Sequence, residues 1–463
     1  MTIRIGNGAG FLGDNLDAPR RLVQHSQLDY LTLEYLAELT LSILARVREK
    51  DPQAGYAADF IDVLGSLVPA LAAQPQLKIV TNAGGMNPRC CAAAAARTLV
   101  AAGLPHVAIA VVTGDDLLAR LTQLQAAGCA LAHLDTGQPL AELGTPVVSA
   151  NAYLGARPIV DALAGGARLV ITGRVADASL TVGPAVHEFG LAWNDWDRLA
   201  RASVAGHLIE CGAQATGAFY PHWNELDLAD VGYPIAELEL DGTFSITKPA
   251  GTGGRVNRET ISEQLLYEIG DPAHYLTPDV DVDFTTVEIA ETGPDRVLVR
   301  GATGRPATDT YKVSLAYRAG YTATGQLLVY GRDCQAKARE CARLIFERLH
   351  IAGIELEHSL VELLGAGQGV PGLHPPPADL REVLLRIAVR DSRSAAVERF
   401  TREIAPLATA APAGLAGYTA ARGTVRPVYA YWPTLVPKSL VESVVEVRPA
   451  SEWANSPSNL NSR

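Results

Sequence analysis

The 463-residue sequence contains no run of about 18 uncharged apolar residues, so no segment is expected to span a bilayer. Its start, Met1-Thr2-Ile3-Arg4-Ile5-Gly6, lacks the basic opening and apolar stretch of a secretory leader. Cysteine is scarce: six residues, one adjacent pair at Cys90-Cys91, no CxxC spacing and no regular ladder. That argues against a disulfide scaffold and fits a reducing cytoplasm. Positive charge is in deficit. Lys+Arg 39 against Asp+Glu 50 leaves −11, a poor balance for a nucleic-acid binder. What remains is ordinary globular composition, 48% hydrophobic and 19% charged, which excludes wholesale disorder. At roughly 100–200 residues per domain, this length predicts two to four domains.

The first half alternates short apolar strands with helical periods. Strands are expected at Thr2–Gly6, Leu28–Leu33, Leu77–Thr81, His106–Thr113, Pro146–Ala150 and Arg168–Thr172. Leu36, Leu39, Ile43 and Val47 fall on one helical face. Asn87-Pro88 reads as N-cap and first helical residue, with Gly103 closing that helix. Such alternation predicts an α/β fold, a mostly parallel sheet with helices on both faces. The second half changes to clustered strands (Thr286–Ile289, Arg296–Arg300, Lys312–Arg318 and Gln326–Tyr330), then a helix from Asp333 to about His350. Strands near Ser359–Leu364, Val383–Val389 and Leu440–Val447, a Gly/Pro-rich loop at 365–377 and a helix from Arg393 to Ile404 follow. This predicts a smaller α+β domain. The expected division is 1–280, an α/β domain carrying the site; 281–450, the α+β domain; and 451–463, a disordered tail.

Ligands of parallel sheets bind outside the carboxyl ends of the strands. The loops expected there are rich in Gly with Asn, Asp or Arg. The first contains Asn7, Gly8, Gly10, Gly13 and Asp14; another contains Asn82, Gly84, Gly85 and Asn87. Gly8-x-Gly10-x-x-Gly13 matches the dinucleotide fingerprint, with Glu34 loosely at the distance of its acidic partner. The alternative is that these glycines only make turns. Arg174 and Asp177 read either as a carboxylate or phosphate grip oriented by the aspartate, or as a helix cap with its salt bridge. In Gly206–Gln214, a helix would place His207, Glu210, Cys211 and Gln214 on one stripe, with Val204, Ala205, Leu208 and Ile209 toward the core. An acid, a base, a thiol and an amide together suit acid/base or nucleophilic work, the thiol only if its pKa is lowered. No metal is expected, because a His/Cys pair lacks the further ligands zinc needs. Lys248, Gly251, Gly253, Gly254 and Arg255 form either an anion cradle or a surface loop; the P-loop order is absent.

These motifs resemble the acyclic terpene utilisation (AtuA) family. The resemblance rests on IGNGAGFLGD at 5–14, LDYLTLEYLAELTLSIL at 28–44, VTNAGGMNP at 80–88, SANAYLGARPIVDAL at 149–163, VITGRVADASL at 170–180 and GHLIECGAQATG at 206–217. GYPIAELELDGTFSITKPAGTGG at 232–254 and EQLLYEIGDP at 263–272 complete it. It implies a small ferredoxin-like domain at the C-terminal end and a place in bacterial breakdown of acyclic terpenes through acyl-CoA intermediates, but no list of catalytic residues. One departure stands out: a Gly-Gly-Asn-like stretch is expected after ATG, where this chain has Ala218-Phe219-Tyr220. That points to a substrate different from that of the terpene route.

The resulting expectation is a cytoplasmic, homo-oligomeric enzyme acting on a small organic acid or acyl-CoA by hydrolysis, hydration or lyase chemistry, with CoA entering as part of the substrate. Glu210 or His207 would move a proton, Cys211 would be the nucleophile and Asp177 would orient Arg174. Asn7–Asp14, Asn82–Asn87 and Gln214 would line the site; Arg174 and Lys248 would hold the anion. The rival readings are an NAD(P)-dependent oxidoreductase and a non-catalytic partner of pathway enzymes. Neither a nucleic-acid nor a membrane partner is expected.

Overall fold

The computed structural model describes residues 1–370, 372, 379–417 and 423–456. The chain divides into two compact units, Met1–Ala316 with Tyr431–Arg463, and Tyr317–Ala430. The first unit therefore continues past 280 and takes back the chain from 431.

In the first unit, apolar segments of four to six residues form five adjacent parallel strands in the order Thr2–Asn7, Tyr30–Leu33, Lys78–Thr81, Leu169–Thr172 and Ala108–Thr113. Antiparallel strands extend this core on both sides: Ile235–Glu239, Phe244–Thr247, Arg296–Arg300 and Glu288–Gly293 beyond the first, and Val444–Pro449 beside Ala108–Thr113. The ten-stranded sheet is thus mixed rather than mostly parallel. The hairpin at 235–247 and the C-terminal strand supply the antiparallel neighbours. The strand Val147–Ala152 leaves this sheet and pairs with Thr310–Tyr330.

Side chains alternate across the parallel strands. Leu31, Leu33, Ile79, Ile109, Val111 and Ile171 pack on one face with helices Ala18–His25, Asp59–Ala73, Pro88–Ala101 and the short Ala450–Ala454. The alternate residues Tyr30, Val80, Ala110 and Val170, also fully buried, belong to the face covered by Arg157–Ala164, Ser179–Phe189 and Trp196–Glu210. Asn87 caps Pro88–Ala101 through the Cys90 N–H, and Gly103 follows with φ +78°. Of the expected stripe, Leu36 is buried ahead of the helix Thr40–Lys50, whereas Leu39, its N-cap, and Ile43 and Val47 face outward; within the helix Leu41, Leu44 and Ala45 are buried.

The tail expected to be disordered begins with structure. Trp453, 1% exposed, packs in the core and donates its indole N–H to the Ile109 carbonyl at 3.0 Å. Residues 457–463 lie outside the described residues.

The second unit is an antiparallel sheet in the order His358–Leu364, Glu382–Asp391, Thr310–Tyr330 and Leu415–Gly417. Helices Cys334–Ile351 and Ser394–Glu403 pack on it through Cys341, Ile345, Val397 and Phe400. Much of the Gly/Pro loop at 365–377 lies outside the described residues. Among the described residues no helix is long and apolar enough to cross a membrane.

Candidate functional site

The carboxyl ends of all five parallel strands are tied together by side chains. After the first, Asn7 donates from Nδ2 to the carbonyls of Ile209 (2.7 Å) and Glu210 (2.9 Å), gripping the end of helix Trp196–Glu210. After the second, Glu34 accepts through Oε1 from the Leu36 N–H at 3.0 Å and from the Nδ2 of Asn82, which follows the third strand. After the fifth, Ala108–Thr113, Asp115 accepts from the Arg174 N–H and from Asn151 Nδ2, both at 2.8 Å. Arg174 itself follows the remaining strand.

Arg174 is 1% exposed and already engaged. Its Nη1 donates to the Leu36 carbonyl (2.6 Å) and meets Asp177 (2.8 Å), with Glu34 at 3.7 Å. The Tyr153 ring lies 4.1 Å from the guanidinium. Its Nε and the Glu34 Oε2 are buried without a hydrogen-bond partner. Burial drives the Glu34 carboxyl well above the usual carboxylate range, with the Asp177 charge adding to it and Arg174 opposing. Asp115, also buried, is pushed up to about 6.

The His207 stripe is only partly as expected. The helix ends at Glu210, Cys211 is its C-cap, and Gly212–Thr216 continues as a 3₁₀ turn carrying the half-buried Gln214. His207 is 1% exposed, set among the rings of Phe284 (centroids 5.5 Å apart) and Tyr275 (5.9 Å). Its Nδ1 is 3.2 Å from Glu210 Oε1. His207 Nε2 and Glu210 Oε2 are buried with no hydrogen-bond partner. Burial raises the Glu210 carboxyl to about 7, His207 opposes this, and the charges of Asp177 and Glu268 add to it. Burial disfavours a charged His207, yet the Glu210 bond outweighs it and holds the ring above its ordinary value. A carboxyl raised to about 7 thus sits against a ring held above its ordinary value.

Cys211 departs from its expected role. Burial, with Glu210 second, raises its thiol to about 12, so it is protonated at neutral pH and is no ready nucleophile.

The glycines serve close approaches within the chain. A Cβ at Gly8 would lie 2.9 Å from Pro19 Cα, one at Gly10 would lie 2.8 Å from the Cys211 carbonyl carbon, and one at Gly84 would lie 2.5 Å from the Thr172 oxygen. Helix Ala18–His25 starts well after Gly10, and the Glu34 carboxyl is turned to Asn82. Gly8 and Gly10 therefore accommodate protein neighbours, Gly13 turns with φ +93°, and the acidic residue is occupied. Asp14 accepts from the Gly10 N–H (2.8 Å) and the Tyr233 hydroxyl (2.6 Å), fixing the loop. Asn87 anchors Pro52 and Ala54, while Gly85 turns with φ +50° against Leu44.

Lys248 stands elsewhere, after an antiparallel strand. Its Nζ, with the side chain 1% exposed, is held by the Thr252 carbonyl (2.8 Å), Thr252 Oγ1 (3.2 Å) and Asp295 (3.0 Å). Gly253 and Gly254 abut Asp227 and Val231, and Gly251 turns with φ +79°. The loop is a packed turn, and Lys248 is engaged within it.

Sequence reading passed over Gln264, Glu268, Tyr275 and Phe284. Gln264, fully buried, donates to the His207 carbonyl at 3.0 Å; Glu268 carries an unusual φ of +61°. Gln264 and Glu268 lie inside the 263–272 motif, and Tyr275 and Phe284 beside the expected division at 280, where no periodicity marks them. Asp115 and Asn151 were findable, since they end apolar strands. Among the described residues, no three His, Cys, Asp or Glu are grouped to hold a metal ion.

No curated protein and no solved structure matches this chain. The family model for acyclic terpene utilisation family protein AtuA matches residues 3–447, and with it the tied strand ends and the His207–Glu210 dyad, so the chain belongs to that family.

Proposed function

We propose that this protein is an enzyme of acyclic terpene or branched-chain acid catabolism that works by proton transfer on an acyl compound, either a small organic acid or its CoA thioester. Hydration or its lyase reverse fits better than thiol-mediated hydrolysis, because the Cys211 thiol is held protonated. The observation that carries the reading is Glu210: buried, tied to His207 through one oxygen, open through the other, and titrating at about 7. Glu210 is the acid/base and His207 its positioning residue. Arg174 Nε and Glu34 Oε2 supply a further donor and acceptor, and Asp177 orients the guanidinium.

The reading keeps a cytoplasmic location, in line with six free cysteines, and a homo-oligomer, which the outward stripe Leu39, Ile43, Val47 supports. The strand order of the second unit, with its two helices, supports a ferredoxin-like domain. The test is turnover of a panel of branched and unsaturated acyl-CoAs and free acids by wild type and Glu210→Gln. A loss of about 10²–10⁴-fold is expected, the usual worth of a positioned acid/base. Equal turnover would remove Glu210 from the mechanism.

A further inference from the structure

A cavity of about 250 Å³ opens between helix Ala18–His25 and the segment 213–233. Its walls are mainly apolar, with Ala18, Leu22, Ala213, Ala218, Leu228 and Val231 among them. Part of the lining is fixed. The Tyr233 hydroxyl is tied to Asp14 at 2.6 Å, and Thr252 Oγ1 donates to the Pro249 carbonyl at 2.8 Å. Arg21 also lines it, ion-paired with Asp230, and His25 stands one helical turn on. Ala218 forms part of this wall. Just beyond Ala218 in the chain, Phe219 and Trp223 are 68% and 63% exposed, an unusual display of apolar surface.

An intact ion pair offers a ligand both donors and acceptors at no net charge. A head that itself donates and accepts, such as a primary amide or a hydroxyl, complements it; a carboxylate would meet the Asp230 charge. At roughly 30 Å³ per water-sized group, the space suits a molecule of roughly eight heavy atoms. We infer that this cavity is a binding site for a small, mainly apolar, uncharged molecule with one amide or hydroxyl head seated at Arg21–Asp230. The inference does not depend on Glu210 moving a proton.

The experiment is isothermal titration of the full chain with hexanamide, 1-hexanol and hexanoate. Saturable binding of the two uncharged probes is expected, with hexanoate at least tenfold weaker. Ala218→Phe, which fills the cavity, should weaken the uncharged probes at least tenfold. Glu210→Gln should bind them as wild type does. Asp230→Asn, a change at a part-exposed side chain, should reverse the preference toward hexanoate, and it keeps the test open if Ala218→Phe does not fold. The inference is overturned by absence of saturable binding of the uncharged probes, by hexanoate binding as tightly in wild type, by undiminished binding in a folded Ala218→Phe, or by an unchanged preference in Asp230→Asn.

Discussion

Glu210 and His207 act on each other's protons, and the signs can be worked out one neighbour at a time. His207 lowers the Glu210 pKa, whereas Asp177 and Glu268 raise it. His207→Gln should therefore move the pH midpoint of Glu210 above about 7, and Glu268→Gln should move it below, read by a pH–rate profile or carboxyl NMR titration. Stability follows the same group. Because its folded pKa lies above the ordinary 4.5, protonated Glu210 contributes stability that is complete below 4.5 and lost as pH rises through about 7. Glu210→Gln mimics the protonated form, so denaturant unfolding should show it gaining on wild type as pH rises across that window. Arg174→Met leaves Asp177 and Glu34 without their cation. We expect a loss of ~3 kcal/mol, the low end for breaking a buried pair because Asp177 is about a third exposed.

Among the elements, Gly10 closely abuts the end of helix Trp196–Glu210. A methyl at Gly10 would meet the Cys211 carbonyl carbon at 2.8 Å. Gly10→Ala should destabilise by ~1–3 kcal/mol, as overpacking does, and lower activity by displacing Glu210; thermal melts and turnover together would show it. How much the sequence revealed differs by element. The five parallel strands are short apolar runs closed by Gly, Asn or Asp, and their observed ends fall within about two residues of those expected. The strand Arg296–Arg300 falls where expected. The hairpin Ile235–Glu239 and Phe244–Thr247 escaped because its alternation is interrupted by charged and small residues. The outward face of Thr40–Lys50 misled, since periodicity reveals a face but not what lies opposite it. In the site, Glu210 and His207 were legible as neighbours on a helix. The aromatic rings around His207 were not, because they come from a stretch some 70 residues away with no pattern of its own.

For the whole molecule, connectivity matters more than any single contact. The first unit is completed by the last described residues, through the strand Val444–Pro449 against Ala108–Thr113 and the helix Ala450–Ala454. Trp453→Ala should cost ~3–5 kcal/mol, measured by denaturant unfolding. A chain stopped after 443 bares the edge of Ala108–Thr113, and loss of monodisperse protein by light scattering is the expected result.

The same closure has a temporal side. A nascent chain has already presented nine of the ten strands of the first unit's sheet, with the 317–430 insertion emerging in between, before the strand that seals its edge is made. Completion of that sheet therefore waits on residues 444–454, and a frameshift just ahead of them would be as damaging to it as one near the start.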